Sequence, residues 1–511
     1  MNPISTIKSV TPDKPAHDIA RVAGRGTVYI TAGKLWFMVS GAAIHFTLPR
    51  LMGVDQFGLY QIVVNIVSIV NAVIITGTYQ SVSKHVSEQP EKADSVKTTA
   101  LRLQILVGGC SSLGFFLLAP VIADYLHDPR LIPYLRLASL IPLSYSFYAV
   151  FTGYFNGRRK FLTQAALDIT YSTLKLGLIV LLVWLGYGVS GGIGGFVLAA
   201  ACVLGVSAMV AGKGEGGGKV RAGDLLKFQG ILFLFTFVLN LLQKVDLILI
   251  KALSSSDAIE ASQNAAYYSA ATAVANLTYQ MIISITFVIF PLISHATFVS
   301  ERARTRLYIT NTLRYTLMMM ALAATLFSAN ASEVLQVMYP EPYQAGTPAL
   351  SILALGMLLF GLLAVMTTII SASGRPAISL LVGCVTLATS AVLNALLIPT
   401  YGLRGAAVST TVAMLAGTLT GGAYLWSRFG PLVPALSALR IAGCAALVYC
   451  ISVLVTPASK LLIIVQLVGA SLAYLAGLVV SREIGREEII GLRKVVGLEK
   501  NVSSAGPGDD F

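Results

Sequence analysis

Apolar runs of about 20 residues, the length that crosses a ~30 Å hydrocarbon core, recur from Thr27 to Ser481 with no gap long enough for a soluble domain. They predict helices over 27–48, 57–84, 100–123, 132–155, 162–186, 191–212, 226–250, 264–294, 307–329, 347–372, 377–399, 404–427, 437–456 and 461–481. The break PRLMGVDQFG (49–58) is a short turn punctuated by glycine. The stretch GKGEGGGKVRAGD (212–224) has the composition of a flexible connection and separates the first six helices from the next six. The pattern predicts an all-α membrane protein with about 14 transmembrane helices. Its expected parts are an N-terminal segment 1–26, an N-lobe 27–225, a C-lobe 226–430, an extra helix pair within 431–481 and a tail 482–511. Residues 1–26 are polar and run into a long helix rather than a small-residue cleavage site, so they do not read as a cleavable signal. The closing NVSSAGPGDDF (501–511) reads as disordered.

The two six-helix stretches resemble each other. GYFNGRRKF (153–161) ends helix 4 and IISASGRPAIS (369–379) ends helix 10, matched on a shared Gly-Arg. YGVSGGIGGFVLA (187–199) opens helix 6 and YGLRGAAVSTTVA (401–413) opens helix 12. FGLYQIVVNIVSIV (57–70) of helix 2 answers AAYYSAATAVANL (265–277) of helix 8. The offsets, 217, 214 and 208, are nearly constant. Six helices per repeat is an even number, so both repeats have the same topology. That predicts two lobes about an axis along the membrane normal, with a substrate site between them.

Charge then fixes orientation. Only 12% of residues are charged and mean hydropathy is +0.77, about half the charge of a soluble domain. With the N-terminus inside, 26 of the 36 Lys and Arg fall in inner segments, six in outer segments and four within helices. The positive-inside rule therefore explains the net charge of +13 without nucleic acid and places both termini in the cytoplasm. The five cysteines lie inside apolar runs with no CxxC, and are read as packing residues rather than metal ligands or disulfides.

Ionisable groups within the bilayer are costly and usually face a cavity or a partner. Helix 1 carries Lys34, Met38, Gly41 and His45 on one face, with Arg50 at its outer end. Helix 5 carries Gln164, Asp168, Ser172 and Lys175 as a single stripe, and Asp168 and Lys175 are spaced to neutralise one another. Helix 7 carries Asn240, Lys244 and Asp246, while Asn65 on helix 2 and Asn276 on helix 8 extend the polar faces. Lys34, His45, Arg50, Asn65, Lys175, Asn240, Lys244 and Asn276 are the expected cavity residues, and Asp168 and Asp246 the carboxylates able to take up a coupling ion. The excess of cations predicts an anionic cargo. Arg314, two turns into helix 9, is expected to snorkel to the inner surface.

Three stretches carry a resemblance. PRLMGVDQFGLYQ (49–61) resembles the helix 1–2 turn of the multidrug/oligosaccharidyl-lipid/polysaccharide (MOP) exporter superfamily. KVDLILIKAL followed by AAYYSAA (244–271) resembles its helix 7–8 region, and FNGRRKF after helix 4 is similar to the basic turn of its polysaccharide-flippase branch. The resemblance spans roughly residues 25–430. It implies a V-shaped two-lobe transporter working by alternating access in the bacterial cytoplasmic membrane, often coupled to H+ or Na+. The Wzx-type branch moves undecaprenyl-pyrophosphate-linked oligosaccharide units to the outer leaflet, with polysaccharide polymerases and glycosyltransferases as neighbours. Many Wzx-type proteins have twelve helices, whereas lipid II flippases of the MurJ type have fourteen, the extra pair lying along a lipid-tail groove. The expected helices 13 and 14 carry no charge between Ile441 and Ala458 or between Leu461 and Val480. MurJ-like cavities are rich in arginine, whereas this chain offers mainly Lys34 and Arg50 near that region, so the polysaccharide branch is favoured over lipid II. A drug/cation antiporter of the same superfamily would want more buried carboxylates.

An enzyme is not expected. The outer loops are short, and their acids (Asp124, Asp128, Asp257, Glu260, Glu333, Glu341) form no DxD-like pair. No GxxxxGK[ST] loop for ATP is present and no cofactor is expected.

Overall fold

A computed structural model describes residues 13–212, 220–298, 302–430, 432–455, 457 and 459–485. Most of the 212–224 connection, the first twelve residues and the end of the tail lie outside the described residues. The described residues are helical throughout their regular structure, with no strand among them. In chain order the helices are α1 (Asp13–Leu51), α2 (Val54–Glu88), α3 (Ala93–Tyr125), α4 (Leu131–Ala138), α5 (Leu140–Gly157), α6 (Phe161–Leu182), α7 (Gly188–Ala211), α8 (Ala222–Leu242) and α9 (Val245–Leu253). They continue with α10 (Ala258–Phe298), α11 (Arg302–Ala329), α12 (Ala331–Met338), α13 (Thr347–Ala372), α14 (Pro376–Phe429), α15 (Ala435–Leu454) and α16 (Lys460–Val480).

Two expected helices are broken. Helix 4 divides at Ser139 into α4 and α5. Helix 7 breaks at Gln243 and Lys244, so Lys244 caps α9 instead of lying mid-helix. Eight stretches among the described residues are long and apolar enough to span a membrane, and two of them, Phe161–Ala211 and Pro376–Phe429, each hold two expected helices.

Both of those stretches kink in the same way. Gly188 has φ 51° and ψ −130°, and Gly402, 214 positions on, has φ 53° and ψ −129°. Only glycine tolerates this backbone region. Gly191 and Gly405, also 214 apart, each leave no room for a Cβ against the turn before the kink. The repeat inferred from the YG motifs is thus a repeat of backbone geometry. The other motif match needs correction. α5 ends with Lys160 N–H bonded to the Phe155 carbonyl at 2.8 Å, and α13 with Arg375 N–H bonded to the Ile370 carbonyl at 3.3 Å. The residues at positive φ are Arg159 and Gly374. Equivalence therefore runs from Arg159 to Gly374, not through the shared Gly-Arg, because this helix-ending turn is defined by its left-handed residue.

A Cβ on Gly402 would meet no atom within 4 Å, so its cost is purely one of backbone conformation. Gly402→Val is expected to destabilise by about 1–3 kcal/mol. Gly194, in an ordinary helix turn with equally open space, is expected to accept alanine with no loss. Thermal scans of the two purified variants check this contrast.

The chain forms two compact units. The first comprises Met1–Ala273, Tyr339–Tyr343 and Ser390–Ala406, and the second Val274–Met338, Gln344–Thr389 and Ala407–Phe511. In the first, α2 packs against α5 and α8, and α1 packs against α6. Its most apolar window is 67% buried, making α2 a central helix of the unit. Gly153 and Gly157 allow α5 to approach α2 so closely that a Cβ would press on Tyr79 and Val86. In the second unit α11 packs against α13 and α15. Ile282, Ile293, Leu313, Met320, Val365 and Ile369 form its core. The same window in α16 is only 17% buried, and Leu461, Leu472 and Val480 stand exposed, as suits a helix facing lipid.

Candidate functional site

In the first unit the helix break at Gln243–Lys244 places a lysine at the N-terminal end of α9. The charges of Lys244 and of Lys175, from α6, both act on His45 of α1. His45 Nδ1 lies 3.0 Å from the amide nitrogen of Gln61 on α2. Cationic side chains from α6 and the start of α9 thus lie within electrostatic reach of His45 on α1. The Lys175 ammonium stands 3.9 Å from the centroid of the Phe196 ring, a cation–π position. Phe196 continues into an aromatic wall in which Tyr145 meets Tyr171 edge-on at 5.2 Å. Asn65 and Asn240 bond back to the Gln61 and Thr236 carbonyls of their own helices.

A second group lies lower on α1. Asp168 accepts a hydrogen bond from the Tyr148 hydroxyl at 2.7 Å, and the charge it faces is Lys34. Its cation comes from another helix. The expected neutralisation of Asp168 by Lys175 on its own helix is therefore corrected. The Trp36 indole donates to Thr173 Oγ1 at 2.9 Å and locks α1 to α6 beside this group. Lys34 and His45 are eleven residues apart, roughly 16 Å of helix rise.

Other expected residues make contacts closer to hand. The Arg50 guanidinium donates to the Phe46 carbonyl one turn back, and Arg50 is exposed. Arg50→Ala is therefore expected to reduce complementation little, far less than a change at Lys175 or Lys244. Asp246 accepts from the Tyr268 hydroxyl at 2.7 Å and from Leu247 N–H at 2.8 Å in the first turn of α9, a favourable place for an acid. Asn276 is half-buried in the second unit. Arg314 lies 3.8 Å from the buried Glu483 carboxylate, which Arg440 approaches at 3.7 Å. It binds protein rather than snorkelling to the surface.

Sequence reasoning passed over a third group. Lys251, expected in an outer loop, is a fully buried residue in the last turn of α9. Its ammonium donates to Asp128 Oδ2 at 2.7 Å, to Ser262 Oγ at 2.7 Å and to the Ala258 carbonyl at 2.8 Å. Arg130 holds the same carboxylate through Nε at 2.9 Å and a terminal nitrogen at 2.8 Å, and reaches Asp55 at 2.9 and 3.2 Å. Burial would raise the Asp128 pKa, but the hydrogen bonds and charges of Arg130 and Lys251 outweigh it and hold it below the usual carboxylate value. A lowered pKa gives stability that is present above the unfolded value, about 3.9, and is lost as pH falls through the folded one. The Tm difference between wild type and Asp128→Asn is expected to be constant from about pH 8 to 5 and to shrink only in stronger acid.

The second unit carries an apolar groove of about 520 Å³ between α15 and α16, lined by Val448, Ile451, Val465, Gln466 and Gly469.

Solved structures place this architecture. The chain is similar to the lipid II flippase MurJ in an inward closed conformation, with TM-score 0.75 and 14% identity over 90% of this chain and 100% of that one. It is also similar to an inward-facing multidrug-resistance MATE transporter of the MOP superfamily, with TM-score 0.61 and 15% identity over 77% and 95%. A Vibrio cholerae MATE transporter gives 0.57 and 16% over 80% and 98%. These likenesses show the fold, a multi-pass membrane fold shared with the MurJ and MATE structures. No curated protein matches the chain. The family model "Polysaccharide biosynthesis protein" matches residues 47–348, more than half of the length, and the chain belongs to that family.

Proposed function

We propose that this protein flips undecaprenyl-pyrophosphate-linked oligosaccharide units from the inner to the outer leaflet by alternating access, for cell-surface polysaccharide assembly. It acts in the bacterial cytoplasmic membrane with both termini inside. The observations that carry this reading are the match to the polysaccharide-biosynthesis family over residues 47–348 and the Lys175 ammonium seated 3.9 Å from the Phe196 ring at the edge of a buried aromatic wall. Two lysines on separate helices, one of them against an aromatic ring, suit a pyrophosphate followed by sugar rings. Lys34, Asn65 and Asn240 extend the polar path. The groove between α15 and α16 is apolar enough to take the polyprenyl chain. Coupling to H+ or Na+ falls to Asp168. A polymerase and glycosyltransferases are the expected partners in the membrane.

Lipid II is the second reading, favoured by the likeness to MurJ over the whole of that chain. One experiment separates the two. Depletion of the protein is expected to accumulate polyprenyl-pyrophosphate oligosaccharide on the cytoplasmic side, read by mass spectrometry of extracted lipids. Accumulated lipid II instead supports the second reading. Unchanged levels of both lipids would refute flippase function.

A further inference from the structure

The Asp128 group joins parts of the chain far apart in sequence. Asp55 opens α2, and Asp128 and Arg130 lie between α3 and α4, all in the first repeat. Lys251, Ala258 and Ser262 lie on α9 and at the start of α10, in the second repeat. At the same place α2 and α10 touch through backbone, since a Cβ on Gly58 would overlap the Ser262 carbonyl. The connections α1–α2, α3–α4 and α9–α10 that carry the group all fall on the side read as outer from the distribution of basic residues.

We propose that this group is the outer latch of the transporter. Closed, it ties the two repeats together at their outer ends; opening requires the bond of Lys251 to Asp128 and that of Arg130 to the Ala258 carbonyl, 3.2 Å long, to break together. The proposal rests on the alternating-access reading above. Its chemistry favours a reversible closure over a permanent brace. A buried ion pair holds little net stability against an apolar replacement of like shape, yet losing one partner is costly. Such a contact therefore gains little as a fixed brace and is sensitive to hydration. Here the Lys251–Asp128 pair is about 1% exposed or less, while the side chains of Arg130 and Asp55 above it are 38% and 25% exposed. Water entering from the rim reaches Arg130 first, and each bond it replaces weakens the hold on Asp128. Gly58 lets the backbones close without side chains interlocking, so the contact can part.

The test measures the outer distance directly and needs no cargo. In a background lacking the five cysteines, spin labels at Asp124 and Ser256, both exposed, report the separation of the two repeats in lipid nanodiscs by pulsed dipolar spectroscopy. The unaltered latch is expected to give mainly a short distance. Lys251→Met, which keeps bulk and removes charge, is expected to raise the long-distance population about tenfold or more. Lys251→Arg, which keeps charge and donors, is expected to retain the short distance. An unchanged distribution in Lys251→Met overturns the latch. So does an equal shift in the Met and Arg variants, because shape rather than charge is then what matters. Failure of the flippase reading shows in the lipid profile on depletion instead, so the two outcomes are distinguishable.

Discussion

Lys244→Glu is expected to abolish complementation of a strain lacking the protein while leaving the chain inserted at wild-type abundance. Lys244 and Lys175 act together on His45, and the cargo proposed for this site carries a pyrophosphate. At an effective dielectric of about 20, a unit charge at ~4 Å contributes about 4 kcal/mol. Inverting one lysine turns attraction of that order into repulsion, so a loss of at least a hundredfold in transport is expected. Lys244→Arg is expected to keep part of the activity, since the charge stays although the donor geometry changes. Lys175→Glu should match Lys244→Glu, with the added loss of the contact to Phe196. Immunoblots of membrane fractions and complementation assays check the set. Full activity in both Glu variants means that the cationic group does not meet the cargo.

Asp168→Asn is expected to uncouple transport from an imposed ion gradient, and Asp246→Asn to lower stability while leaving coupling intact. Both carboxylates answered the same search for buried acids, but their surroundings differ. Asp246 is held by a tyrosine hydroxyl and a backbone N–H in the first turn of α9, which are the partners of a structural cap. Asp168 has one hydroxyl donor and a lysine from another helix opposite. Uptake of a proton or sodium ion there weakens the attraction between α6 and α1, and a small change of that kind can bias a two-state transporter. The measurement is transport in vesicles with and without a gradient. Gradient dependence that survives Asp168→Asn removes this residue from coupling.

The pattern of apolar runs was enough to anticipate an all-helical membrane fold, and the YG repeat marked the two places, Gly188 and Gly402, where the structure kinks alike instead of forming the expected loops. Those features are periodic and local, so a sequence displays them. The cationic residues of the site were legible too, because a lysine inside an apolar run stands out. Their pairing was not. The charge that reaches Asp168 is that of Lys34 rather than Lys175, since α1 packs on α6 through Gly33 against Ala165 and Trp36 to Thr173. The Asp128–Arg130–Lys251 group was missed because each member sits at a helix end, where charge reads as solvated. Only the close approach of α2 and α10 at Gly58 buries it. Gly58 and Ser262 gave no advance sign of touching, since they lie about 200 positions apart.

The central claim is transport of a lipid-linked oligosaccharide, and reconstitution tests it most directly. Purified protein in vesicles containing a fluorescent polyprenyl-pyrophosphate oligosaccharide is mixed with an impermeant quencher, which reports the lipid exposed on the far leaflet over time. The account predicts flipping well above the rate in protein-free vesicles, reduced to that background by Lys244→Glu. A rate equal to protein-free vesicles with folded wild-type protein, or undiminished flipping by Lys244→Glu, would contradict it.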